Sequence, residues 1–71
     1  MDAKAIGRRL AALRGEKSQA EVANALGISP AAWSMYECGE RIPRDEIKIR
    51  IADYFKSSVY DIFFVQGTHV S

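Results

Sequence analysis

Residues 18–44 read SQAEVANALGISPAAWSMYECGERIPR, and the fold turns on this stretch. Ser18 and Glu21 stand at the spacing of a capping box, in which the Ser18 side chain accepts from the backbone and Glu21 reaches back. Val22, Ala23 and Leu26 then fall on the inner face of a helix, and Gly27 stops it. Ser29-Pro30 opens a second helix. Ser29 is a good N-cap, and proline at the first helical position gives up no hydrogen bond that the helix could have made. Trp33 and Tyr36 lie i, i+3 on its apolar face, and Gly39 ends it.

Two short helices joined only by Gly27-Ile28-Ser29 have no room to lie antiparallel. A turn of three or four residues containing glycine sets a crossing of roughly 90–120°, the helix-turn-helix arrangement. Ala23, being small, suits the point where the two helices touch, and Ile28 plugs the turn from below. Trp33 and Tyr36 would anchor the second helix of the pair onto the first, fourth and fifth helices of the chain. Pro30, Ala31, Ser34 and Met35 are left facing outward, with Ser29 at the edge. An exposed helix N-terminus of this kind can enter a DNA major groove and touch base edges.

Outward from this centre the chain continues as helices. Asp2 caps a first helix whose Ile6, Leu10 and Leu13 share one face, and Gly15 ends it. Pro43 restarts the chain after the bent pair. Asp45 and Glu46 suit the positive end of a helix dipole, and Ile47, Ile51, Ala52 and Phe55 make the inner stripe. Ile49 falls off that stripe and is expected to be half exposed or on an interface. Ser57, Ser58 and Asp61 cap a last short helix carrying Val59, Ile62 and Phe63. The fold class is therefore all-α, a compact five-helix domain over residues 1–64. Residues 65–71 form a tail that reads as a short strand, a strand pair or a frayed end.

Composition excludes more than it identifies. The chain has 71 residues, 48% apolar and 27% charged, the balance of one small globular domain. No apolar run approaches the roughly 18 residues of a membrane span, and MDAKAIGRRLAAL lacks the apolar core of a signal peptide. Cys38 is the one cysteine, without a CxxC partner or clustered histidine. A cytoplasmic setting fits, and Cys38 is expected to be a small buried or half-buried thiol. His69 is a lone imidazole in the tail. There is no Ser-His-Asp set, no paired carboxylates beside a histidine and no glycine-rich phosphate loop. An enzyme is not expected, and neither is a metal, a cofactor, a small-molecule ligand or a membrane. Net charge is only +1, but its distribution is uneven. Residues 1–17 carry five bases against two acids, residues 18–40 only three acids, and residues 41–56 five bases against three acids. Two basic segments flanking an acidic one fit a split phosphate footprint, and they fit solvated helix faces equally well.

The stretch from Ser18 to Arg44 also resembles the lambda-repressor and Cro-type helix-turn-helix regulators, the XRE family. The residues that carry the likeness are Ser18-Gln19, Glu21-Val22-Ala23, Leu26-Gly27-Ile28-Ser29, Trp33 and Tyr36, then Glu37, Gly39 and Pro43. IADYFKSSVYDIFF is similar to the family's closing segment, so the likeness spans residues 4 to 64. It implies that Gln19 bonds a DNA phosphate, and that Ser29, Pro30, Ala31, Ser34 and Met35 face the bases. It implies further that Arg14 and Glu37 form a semi-buried ion pair tying the first helix to the third, and that Arg41 and Arg44 contact the sugar-phosphate backbone. Two features depart from the family pattern. The link Arg14-Gly15-Glu16-Lys17-Ser18 is shorter than usual, which bears on the Arg14–Glu37 pair. The base-facing helix has no Gln, Asn or Arg, the side chains that carry most bidentate readout. Specificity would then rest on methyl contacts, on Arg41 or Arg44 and on DNA shape.

Two functions follow. The first is sequence-specific binding of double-stranded DNA by a small bacterial or phage regulator, a repressor that occludes its operator as a homodimer on half-sites about 34 Å apart. The interface would use residues left over after the core is filled: Ile49, Tyr54, Tyr60, Phe64, Val65 and Val70. The alternative is a protein-interaction module on the same fold, such as an antitoxin or adaptor, favoured by the near-neutral charge and donor-poor helix.

Overall fold

Asp2, Ser18, Ser29 and Ser58 each start a helix by the same device. In the computed structural model, which describes residues 2–64, the Asp2 carboxylate accepts from the backbone N–H of Lys4 and Ala5 at 3.0 and 3.2 Å. The three serine hydroxyls accept from the N–H of Glu21, Ala32 and Asp61, all at 3.0 Å. Each cap satisfies a donor that the first helical turn leaves unpaired. The elements they open are α1 (Ala3–Arg14), α2 (Gln19–Leu26), α3 (Pro30–Cys38) and a closing π-helical turn (Tyr60–Phe64). Between the last two lies α4 (Asp45–Tyr54), which starts at Arg44 without a side-chain cap and carries Asp45 and Glu46 in its first turn. Among the described residues there is no strand, and the strand expected in the tail lies outside them. Only the Ser18 half of the expected capping box is in place, and the Glu21 carboxylate lies 3.7 Å from Lys17 Nζ.

The endings are as chemical as the beginnings. Gly27 and Gly39 close α2 and α3 in the left-handed region, at φ 75° and 77°. Each then lets the next residue's N–H turn back onto the helix, Ile28 to Ala23 O at 3.0 Å and Glu40 to Met35 O at 2.9 Å. Helix α4 ends with no glycine. Lys56 takes the left-handed conformation instead, at φ 56°, and Ser57 N–H bonds back to Ala52 O at 2.9 Å.

The core is filled from every element. Ile6 and Leu10 come from α1, Val22, Ala23 and Leu26 from α2, and Trp33 and Tyr36 from α3. Ile47, Ile51 and Ala52 come from α4, with Ile62 and Phe63 from the closing turn. Trp33 is fully buried, its ring meeting Tyr36 edge-on at 6.4 Å between centroids and Phe55 at 6.2 Å. Helix α3 rests chiefly on α1 and α2, and the Trp33–Phe55 contact joins it to the end of α4. The expected seat of α3 on the first, fourth and fifth helices is corrected to that extent. The closing turn docks on α1, where the Arg9 guanidinium donates to Ile62 O at 2.9 Å.

Gly7 sets how closely α1 and α3 approach. A Cβ there would fall on the Glu37 carbonyl oxygen and within 2.8 Å of the Tyr36 carbonyl oxygen. A second close approach lies at the ends of the same two helices, where a Cβ on Gly39 would sit 2.9 Å from Lys4 Cγ.

Candidate nucleic-acid interface

One carboxylate ties three helices together behind the outward face of α3. Glu37 Oε2 accepts from Arg14 Nε and from the Trp33 indole N–H, while Oε1 accepts from Arg14 Nη2 at 3.1 Å and Gln19 Nε2 at 3.0 Å. Its side chain is only 8% exposed. Burial pushes the Glu37 carboxyl up, but the hydrogen bonds from Arg14, Gln19 and Trp33, with the Arg14 charge, outweigh it and hold the group below the usual carboxylate range. The Arg14 guanidinium is raised in turn, first by its hydrogen bond to Glu37. Despite the short link between α1 and α2, Arg14 reaches Glu37, and its Nη1 also donates to Lys17 O at 2.7 Å, fastening the link to itself.

One of these partners, Trp33, was legible in part from the residues alone. The N–H of a buried tryptophan needs an acceptor, and Glu37 lies four residues on along the same helix face. Gln19 is half-buried at the first turn of α2, and one hydrogen of its amide is engaged by Glu37. Nothing in the spacing of Gln19 and Glu37 signals that contact.

With Glu37 turned inward, the surface of α3 is small and uncharged at its start. Ser29, Pro30 and Ala31 are exposed, and Ser34 and Met35 are half-buried beside them. Arg41 and Arg44 are exposed in the segment after α3. They line a cleft of about 510 Å³ together with Ile28, Ala32 and Tyr36, so both arginines lie beside α3. Sequence reasoning missed a third arginine near this region. Arg50 Nη1 donates to Leu26 O at 3.3 Å, a cation at the negative end of α2.

The residues expected on a dimer interface are not equivalent. Ile49 and Tyr60 are 55% and 65% exposed, and Phe64 is 43% exposed. Ile49 and Phe64 border one shallow cleft with Lys48 and Val59. Tyr54 is half-buried, packed against the core with its ring edge-on to Phe55 at 4.8 Å. Val65 and Val70 lie outside the described residues, as does His69. Lys48 is a surprise, because it is 7% exposed. Its ammonium lies 3.5 Å from the Asp45 carboxylate and 5.7 and 5.3 Å from the ring centroids of Phe63 and Phe64, so its stem lies along apolar surface. Cys38 is also corrected: it is exposed, because it is the last residue of α3 and the core stripe of that helix ends at Tyr36. Among the described residues no cluster of His, Cys, Asp or Glu could hold a metal ion, and no helix is long and apolar enough to cross a membrane.

Comparison with known proteins agrees with this fold. A search of curated proteins gave no match. Among solved structures, the chain is similar to the SOS-response transcriptional repressor LexA from Eubacterium rectale, at 25% identity and a TM-score of 0.85, over 99% of this chain and 77% of that one. It is also similar to the clp gene regulator ClgR from C. glutamicum, at 26% identity and a TM-score of 0.74, over 87% of this chain and 83% of that one. A family model described as a helix-turn-helix domain matches residues 5–59, the span from α1 to the start of the closing turn, and the chain belongs to that family.

Proposed function

We propose that the chain is a DNA-binding transcriptional regulator and not an enzyme, of the XRE type, acting on double-stranded DNA. The observation that carries this reading is the exposed first turn of α3, Ser29 to Ala31, on a helix that Glu37 ties to α1 and α2, with the exposed Arg41 and Arg44 lining a cleft beside that helix. Phosphate contacts fix register, and base contacts select sequence. In this division Gln19, Arg41 and Arg44 hold the backbone, while Ser29, Pro30, Ala31, Ser34 and Met35 face the bases. The Arg14–Glu37 pair positions α3 and touches no DNA.

The finer proposal is a repressor that occludes an operator as a homodimer. Support comes from the exposed Ile49, Tyr60 and Phe64, which lie on α4 and the closing turn. Sedimentation of the parent against Ile49→Lys and Phe64→Lys tests this, with monomers expected for the variants and a dimer for the parent.

Selection from random oligonucleotides with the purified protein tests the DNA reading. A recovered palindrome whose binding weakens steeply with salt is the expected result, since displaced counterions drive the phosphate contacts. Failure to enrich any sequence refutes it. The protein-interaction reading draws on the same donor-poor α3. It expects no enriched sequence, and a function lost on changing Met35 or Phe64 but not Gln19.

A further inference from the structure

The geometry points to a reader of pyrimidine 5-methyl groups: α3 recognises thymines in its half-site by apolar contact through Pro30 and Ala31. This rests on the DNA-binding reading and specifies what that site selects.

The argument is one of elimination on α3. Major-groove readout normally uses long donors or acceptors, with Arg or Lys on guanine, Asn or Gln on adenine and Glu or Asp on cytosine. Residues 29–38 contain none of these except Glu37. Glu37 is withdrawn from the surface, its two oxygens taken by donors from Arg14, Gln19 and Trp33. The Ser29 hydroxyl oxygen is engaged as the cap of α3, accepting from Ala32 N–H. What α3 exposes at its first turn, besides the Ser29 O–H that can still donate, is therefore a pyrrolidine ring and a methyl group, those of Pro30 and Ala31. Half-buried Ser34 and Met35 add one hydroxyl and a thioether beside them. The thymine 5-methyl is the one apolar feature that a base pair presents in the major groove. A surface of this composition gains by covering it and would leave a polar base edge unpaired.

The test replaces thymine by uracil, one position at a time, in the duplex recovered by selection. Uracil keeps every hydrogen-bonding group of thymine and lacks only the methyl. Gel-shift titration is expected to show about fourfold weaker binding at each thymine under Pro30 or Ala31, the transfer value of one buried methyl group. Uracil outside the half-sites is expected to change nothing. Ala31→Ser replaces one hydrogen of the exposed methyl by a hydroxyl, and it is expected to shrink the uracil penalty at one thymine towards unity while leaving the others. That coupling is a readout which general loss of stability would not produce. Equal affinity for thymine and uracil duplexes at every position, with sequence selectivity intact, overturns the inference and leaves the DNA-binding reading standing. A recovered half-site without thymine also overturns it. Failure to recover any selective duplex overturns the DNA-binding reading itself, and this inference with it.

Discussion

Gly7→Ala separates helix propensity from packing with opposite signs. On propensity alone, alanine inside a helix is worth about 1 kcal/mol more than glycine. At residue 7 the added Cβ meets the backbone carbonyls of Tyr36 and Glu37, which no rotamer change can move aside. Overpacking a fitted site costs about 1–3 kcal/mol, and a backbone obstacle belongs at the upper end, about 3 kcal/mol. The net effect is a loss of about 2 kcal/mol. For a domain of this size that lowers the melting temperature by about 8–16 °C. Thermal unfolding followed by helical circular dichroism and by the fluorescence of buried Trp33 reads it directly. Ala12→Gly is the control, since residue 12 is exposed on the same helix and glycine there is expected to cost about 1 kcal/mol. A Gly7→Ala protein that melts at or above the parent temperature refutes the close approach of α1 and α3.

Further perturbations separate fold from recognition. Glu37→Ala leaves the Trp33 N–H and the Arg14 guanidinium without their acceptor and should cost about 3 kcal/mol in urea unfolding, the low end for breaking a buried pair because Arg14 can turn to water. The Glu37 carboxyl is held below its ordinary 4.5, so its contribution is complete above that pH and is lost as the pH falls through the lower folded value. The urea midpoint of the parent should therefore drop more steeply below pH 4.5 than that of Glu37→Gln, whose remaining acid limb includes Asp2, held low first by its bond from Ala5 N–H. Lys56→Gly should raise stability by about 0.5–1 kcal/mol, since it relieves a left-handed lysine but loosens the unfolded chain. Arg41→Ala should weaken DNA binding similarly on every sequence and reduce the salt slope by about 1, as measured by titration at several salt concentrations.

Helix boundaries were legible wherever a residue type carries the mechanism locally. Asp2, Ser18, Ser29 and Ser58 cap, and Gly27 and Gly39 end, for reasons that lie within a few residues of each position. The end of α4 was not legible, because Lys56 supplies the left-handed turn without a glycine or asparagine to announce it. Exposure at the tip of a helix also misled: Cys38 looks like a core thiol by type and lies outside by position. Lys48 erred the other way, a cation on a helix whose stem the closing turn covers with Phe63 and Phe64. Gly7 carried no local signal either, since its reason is the α3 backbone some thirty residues away.

The candidate site divides along the same line. The surface of α3 follows from its periodicity, whereas the convergence on Glu37 needs three helices to be placed first. Under the proposed function, that convergence would let a short α3 act in recognition without long side chains. Methyl contacts are short-ranged, and the attraction falls away within a fraction of an ångström of misplacement. A helix that reads by such contacts has to be held more firmly than one that reaches with arginine or glutamine. Here the restraint is supplied from behind by a single acid bonded to α1, to α2 and to the tryptophan of its own helix, and from the side by two carbonyls packed on Gly7. In the proposed complex, loosening either restraint should cost sequence selectivity before it costs general affinity for DNA, because Arg41 and Arg44 lie beyond α3 and bond phosphates whose positions do not depend on sequence.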